Sequence, residues 1–152
     1  MIRVERDPAW WAAIAAHPAV VGTLLGVGPE LIGALCRRDD IMPLAADHGG
    51  FMFVLRDTLG FTCELHTLFT PEGWGREVLL AGVEALHAVF LAGYQAVTTF
   101  EVRENPRSQP PRSFGFHQAG DWRETPIGEL RLWVLTRKAW EASPAQRRHL
   151  CQ

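Results

Sequence analysis

The sequence predicts a mixed α/β protein, a mostly antiparallel sheet with one parallel pair, flanked by helices. Three observations carry this. Three apolar, β-rich runs (41–46, 51–55 and 61–69) follow one another with turn signals between them. A stretch with apolar residues at helical spacing (Val78, Leu79, Val83, Leu86, Phe90, Leu91) then separates the third run from a β-branched and aromatic one, 96–102. A helix joining two strands makes them parallel neighbours with a right-handed crossover, whereas the first three runs form an antiparallel meander.

In chain order, Asp7-Pro8 supplies an N-cap and a proline at the first helical position. Trp11, Ile14 and Ala15 follow at helical spacing until His17-Pro18 stops the helix. Trp10 and Trp11 read as the core and rim of that helix. Gly22–Gly28 is a connector, and a second helix runs from Pro29 to about Cys36. Asp47-His48-Gly49-Gly50 and Arg56–Gly60 are turns, and the run 51–55 reads as a central strand covered on both faces. In the third run Phe61, Cys63, Leu65, Thr67 and Phe69 share one face, and Glu64 and His66 lie on the other. Gly93 is a C-cap, and Tyr94, the only tyrosine, reads as packing. Beyond Asn105-Pro106 the chain is irregular, because Pro110-Pro111 denies it a long helix. Phe114-Gly115-Phe116 leads into a short strand, 130–135 is the last strand, and the tail from about Lys138 is a terminal helix.

The chain has 152 residues, 17 acidic and 15 basic, for a net charge of −2, and 47% of it is hydrophobic. A chain of that size buries about 69% of its unfolded surface, enough for a single domain over 1–152 with one core. The near-neutral charge argues against a broad nucleic-acid-binding face. No run reaches the roughly 18 apolar residues of a membrane helix. Met1–Glu5 leading into Arg6-Asp7-Pro8 is not a signal-peptide pattern, so a cytoplasmic protein is expected. Cys36, Cys63 and Cys151 are odd in number and widely spaced, which suits neither a disulfide framework nor a zinc site. His48 has no second ligand at metal spacing, so no metal is expected.

The most informative unit is the third strand, the loop Pro71–Arg76 and the helix after it. A glycine loop opening a helix offers unpaired N–H groups and a favourable dipole to an anion. Gly73-Trp74-Gly75 is neither a Walker A loop nor a dinucleotide fingerprint. Two glycines in a tight strand-to-helix turn also need no ligand at all, and the loop by itself leaves both readings open.

The wider order narrows the choice. Glu64-Leu65-His66-Thr67-Leu68-Phe69-Thr70-Pro71, Glu72-Gly73-Trp74-Gly75-Arg76, Glu104-Asn105-Pro106-Arg107-Ser108, Phe114-Gly115-Phe116 and Leu135–Trp140 occur in that sequence. In this order they resemble the fourth strand, pyrophosphate loop, Glu-Asn-x-x-Ala segment, Gly-Phe motif and ending of the GNAT acyltransferase superfamily, including short uncharacterised members, some of them phage-encoded. The first sixty residues fit only in element order.

The resemblance implies a sheet of about six to seven strands with a V-shaped splay between the central parallel strands. It implies acetyl-CoA as co-substrate and a small-molecule or peptide amine as acceptor, attacking the thioester directly. The backbone near Leu68 and Phe69 would pair with the pantetheine amides, and the N–H groups of Gly73, Trp74, Gly75 and Arg76 would hold the pyrophosphate. Arg76 would add a charged contact, Asn105 would bind the pantetheine arm, and Arg107 and Arg112 would meet the 3′-phosphate. Glu64 would be the base, with His66 accepting or relaying a proton.

Each role has a plain structural alternative. Glu64 pairs with an arginine on a neighbouring strand such as Arg103, His66 is hydrogen bonded at the sheet surface, Trp74 caps the core instead of covering an adenine, Asn105 starts a turn, and the two arginines are solvated. Four departures weigh on the resemblance. Glu72 stands for an Arg or Gln and Glu77 for a small residue. The loop is about two residues short. The tyrosine that protonates the departing thiolate is missing, with Arg112 and Ser113 nearest its place. The alternative function is therefore a catalytically inactive module of the same fold, acting through protein contact, with a homodimer among its forms.

Overall fold

The computed structural model describes residues 1–56 and 61–151, so most of the turn expected at 56–60 lies outside the described residues. By packing, the chain divides into two units, Met1–Leu55 with Leu65–Ala85, and Arg56–Glu64 with Leu86–Gln152.

The first unit opens with β1 (Arg3–Val4), paired antiparallel to β2 (Ile41–Ala45), which is in turn antiparallel to β3 (Gly49–Val54). β4 (Thr62–Phe69) follows β3 in the hydrogen-bonded order, and its residues from Leu65 onward belong to this unit. Helices α1 (Pro8–Ala16), α2 (Pro18–Val21) and α3 (Pro29–Leu35) pack against these strands. Asp7 caps α1 by accepting the Ala9 N–H at 3.0 Å, and the chain breaks at His17-Pro18 as its sequence requires.

The core of this unit joins Trp11 and Ala15 of α1, Val20, Cys36, Ile41, Ala45, Met52 and Leu68. Trp11 is fully buried, and its indole N–H donates to the Glu5 carbonyl at 2.8 Å, so its one polar atom is satisfied. The expected order of the two tryptophans is reversed: Trp10 meets Trp11 edge-on at 4.8 Å and stays at the rim under the Arg3 guanidinium.

The second unit holds the start of β4, the end of α4 (Arg76–Leu91), and β5 (Ala96–Val102), β6 (His117–Gln118), β7 (Arg123–Thr125) and β8 (Gly128–Thr136). β5 is antiparallel to β8 along its whole length, from Ala96↔Thr136 to Val102↔Leu130, and β6 and β7 both pair with β8. The expected parallel pair is present as Thr62↔Ala96, Cys63↔Val97 and Glu64↔Thr98. Among the described residues the ladder covers these three pairs, while β4 runs on to Phe69 and β5 to Val102.

The strand order is β1-β2-β3-β4-β5-β8-β6 with β7 on β8, a mixed and mostly antiparallel sheet of eight strands flanked by helices. The second unit's core centres on Trp140, stacked on Phe90 at 6.2 Å and met edge-on by Phe114. The Arg137 guanidinium donates to the carbonyls of Phe90 and Tyr94, closing the C-terminal end of α4 where Gly93 adopts φ +107°.

Several expectations are corrected. β1 and β7 are short strands without a sequence signature. The terminal helix is two helices, α5 (Arg137–Glu141) and α6 (Pro144–Leu150), because Ser143-Pro144 caps a new one. Gly49 and Gly50 are strand residues of β3 and not the turn itself. They are glycines because the backbone of the flanking strands presses on them. A Cβ on Gly49 would stand 2.2 Å from the Leu68 carbonyl oxygen, and one on Gly50 would stand 2.3 Å from that of Leu44. Along β4, Leu68 and Phe69 are both buried, so the strand does not alternate cleanly between an inner and an outer face. All three cysteines are free, and burial pushes the Cys63 thiol up to about 12. Among the described residues no helix is long and apolar enough to cross a membrane.

Candidate functional site

In the first unit β4 runs directly into the glycine loop. Thr70 fastens the junction, donating its N–H (2.9 Å) and its hydroxyl (3.2 Å) to the His48 carbonyl. Pro71–Gly73 form one 3-10 turn. Its tightness uses the Gly73 N–H on Thr70 O at 2.9 Å and the Trp74 N–H on Pro71 O at 3.2 Å. Gly73 is buried against the Phe69 ring, which a Cβ would meet at 2.6 Å. Trp74 is extended and 38% exposed, and its indole N–H donates to the Phe69 carbonyl at 3.1 Å. Gly75 then adopts φ +87°, and its carbonyl accepts the Leu79 N–H at 3.2 Å to start α4. Arg76, exposed, is the first helical residue.

The four N–H groups considered for a pyrophosphate therefore divide. Those of Gly73 and Trp74 are engaged within the turn. Those of Gly75 and Arg76 stand at the opening of a sixteen-residue helix, where the first turn has no intrahelical acceptors. Apart from its two chain neighbours, no residue comes within 4 Å of a Cβ built on Gly75, so a ligand can approach the backbone there. This donor set fits an anionic group, and the residue that supplies the second N–H is itself an arginine.

The two acids that depart from the resemblance behave differently. Glu77 turns to His48, accepting its backbone N–H at 2.8 Å and facing its Nδ1 at 2.7 Å. The carboxylate thus clasps the β2–β3 turn to the first turn of α4. Glu72 is exposed on the rim of a shallow hollow of about 400 Å³ lined also by Asp47, Trp74, Arg76, Glu77 and Leu80. Carboxylates outnumber guanidinium groups in that hollow, so an anion is favoured at the Gly75–Arg76 end and not within it.

The clasp makes a pH prediction. The hydrogen bond that the His48 ring makes to the Glu77 carboxylate raises the His48 pKa above the usual histidine value. For Glu77, burial pushes upward, but the His48 side-chain and backbone hydrogen bonds outweigh it and hold the carboxyl below its usual value. A raised histidine stabilises fully below its unfolded pKa, near 6.5, and loses that contribution as pH rises through the folded value. A lowered carboxyl stabilises above its unfolded pKa, near 4.3, and loses that contribution as pH falls through the folded one. The clasp is therefore strongest between those two reference values. In Glu77→Gln the His48 titration, followed by NMR of the imidazole Cε1 proton, should move down toward the ordinary histidine range. An unmoved titration would show that Glu77 does not set it.

In the second unit, Glu64 meets Arg56. Its Oε2 lies 3.2 Å from Arg56 Nε and its Oε1 3.2 Å from Nη2, a two-point pair. The expected partner Arg103 instead pairs with Glu129 at 3.2 Å. The Glu64 side chain is 13% exposed and that of Arg56 61%, so the pair reaches solvent from the arginine side. His66, two residues further along β4, is exposed. Asn105 accepts the Arg107 N–H at 3.2 Å through its side chain, capping the 3-10 turn Pro106–Ser108, which is the turn role open to it from sequence. Arg107 and Arg112 are exposed on this segment.

Three features here had no sequence signal. Ser108 Oγ accepts the Val102 N–H at 2.7 Å and lies 2.6 Å from the Asn105 carbonyl, tying the segment to the end of β5. Glu101, only 7% exposed, accepts from Arg131 Nε at 2.9 Å and Trp133 Nε1 at 2.8 Å. The Arg131 guanidinium also covers the Trp122 ring at 4.4 Å. The β5–β8 register, which sets Glu101 opposite Arg131 and Thr99 opposite Trp133, brings the Glu101 group together. Among the described residues there is no group of three potential metal ligands.

No protein-family model matches this sequence, and no curated protein matches it. Solved structures do. The chain is similar to a spermidine N-acetyltransferase from Vibrio cholerae in complex with CoA and spermine, with a TM-score of 0.74 at 13% identity, covering 92% of this chain and 96% of that one. It is similar to an aminoglycoside acetyltransferase in complex with coenzyme A, with a TM-score of 0.70 at 15% identity over 93% and 97% of the two chains. It is also similar to a probable acetyltransferase of the GNAT family from Chromobacterium violaceum, with a TM-score of 0.71 at 18% identity over 91% and 86%. At these identities the likeness is one of fold, and the fold is that of the GNAT acetyltransferases.

Proposed function

We propose that this protein is an acetyl-CoA-dependent N-acetyltransferase acting on a small-molecule or peptide amine. The observation that supports it most is the unit of β4, the Thr70–Arg76 loop and α4, which ends in open N–H donors at a left-handed glycine. That unit lies in a chain whose fold follows CoA-complexed acetyltransferases over nearly its whole length. Acetyl-CoA would supply the activated acetyl group and a thiolate leaving group.

The chain's own residues have three tasks. Gly75, Arg76 and the first turn of α4 hold phosphate, with the Arg76 guanidinium adding charge. The edge of β4 at Leu68 and Phe69 orients an extended arm as an added strand would. Asn105, Arg107 and Arg112 are assigned to the same cofactor by resemblance. Glu64 takes the proton that the acceptor amine must lose, directly or through His66 and water. Arg56 holds that carboxylate in a two-point ion pair, so the proton must reach it at the lone pairs the pair leaves open.

That ion pair favours one second reading, a catalytically inactive module of the same fold that acts through protein contact. The two separate in a screen of the purified protein with acetyl-CoA against polyamines, aminoglycosides and peptide amines, following release of free thiol. Saturable turnover with any amine supports the enzyme. CoA binding without turnover across the panel supports the module.

A further inference from the structure

Within one trans peptide group of an extended strand the N–H and the C=O point to opposite edges. The Thr70 N–H is bonded to the His48 carbonyl, on the β3 side. The Phe69 carbonyl one position earlier therefore points to the edge away from β3, the edge at which a further extended chain would add. That carbonyl is the acceptor of the Trp74 indole N–H, at 3.1 Å, close to the separation a β-partner's amide would adopt.

The surroundings fix which partner can move. Phe69 is buried, packed on the Phe51 ring at 5.3 Å and crowded by Gly73, so its main chain cannot shift. Trp74 is 38% exposed and adjoins Gly75, around whose Cβ position there is open space. An exposed indole can turn by a change of rotamer, which the buried Phe69 main chain cannot do.

We infer that Trp74 is a gate on the β4 edge: its indole N–H occupies the Phe69 carbonyl in place of the amide N–H of a pantetheine arm, and must leave for that arm to pair. This rests on the reading of the protein as a CoA-binding acetyltransferase, and it assigns Trp74 an affinity-setting role there. The gate keeps a carbonyl at the sheet edge satisfied while no ligand is present, at the cost of exchanging one hydrogen bond when the arm arrives. It also predicts selectivity within the ligand. The arm should compete with the indole, whereas the nucleotide end should not.

The test titrates the full chain and two variants, Trp74→Phe and Trp74→Leu, with CoA and with adenosine 3′,5′-bisphosphate, which lacks the arm. Binding is read by calorimetry and by tryptophan fluorescence, and folding is checked by circular dichroism. Losing one competing hydrogen bond should tighten CoA binding about 3- to 10-fold in both variants and leave the bisphosphate affinity unchanged. CoA, but not the bisphosphate, should change a fluorescence component that both variants lack. Equal CoA affinity in all three proteins, with no component assignable to Trp74, would overturn the gate and leave CoA binding standing. No binding of CoA to any of them would overturn both.

Discussion

Gly49→Ala is expected to lower the unfolding free energy by about 3 kcal/mol, the upper end for overpacking a well-filled site. The methyl group would sit 2.2 Å from the Leu68 carbonyl oxygen and 2.5 Å from the Phe69 Cα, and neither is a side chain that can rotate away. Because domains of this kind are stable by only about 5–15 kcal/mol, that loss should be plain in urea denaturation as a lowered midpoint. Gly120→Ala, where no atom lies within 4 Å of the added Cβ, should stay within about 0.5 kcal/mol of the parent. Equal midpoints for the two variants would show that the approach of β3 to the end of β4 is not as close as described. The same contact positions Leu68 and Phe69, so the variant should also weaken CoA binding.

Glu64→Gln is expected to lower acetyl transfer by about 10²- to 10⁴-fold, the range for loss of a general base. The change is isosteric, and the pair it breaks reaches solvent through a mostly exposed arginine, so stability should change by only about 0–1 kcal/mol. CoA affinity should be unaffected. Arg56→Ala provides the contrast. It releases the carboxylate without removing it, so turnover should persist or rise. If both variants keep full turnover, Glu64 is a structural partner of Arg56 and the base lies elsewhere.

Much of the fold was legible because it rests on local chemistry. Asp7-Pro8, His17-Pro18, the apolar run 51–55 and the periodic run before Gly93 each state their element through capping, proline sterics or spacing. The crossover of α4 followed from connection rules, and β4 and β5 are parallel. β1 and β7 were not legible because two or three residues carry no period. They exist because β2 and β8 offer them an edge.

Site residues were legible as types and positions, not as partners. From sequence Glu64 is expected to meet an arginine on a neighbouring strand such as Arg103, but the folded chain gives it Arg56 and gives Arg103 to Glu129. Glu77 looked like a defect in the loop until His48 was placed beside it. Likewise Trp74 could have faced either core or ligand. Its bond to Phe69 depends on the 3-10 turn at Pro71–Gly73, which the two glycines alone do not specify.

The central claim is that this chain binds CoA through the end of β4 and the start of α4. Isothermal titration of the purified protein with CoA at up to near-millimolar concentration tests it most directly, with Arg76→Ala alongside. Saturable binding is expected, weakened about 10-fold in the variant by the loss of a charge-assisted phosphate contact. No heat, together with no protection by CoA against thermal unfolding, would contradict it.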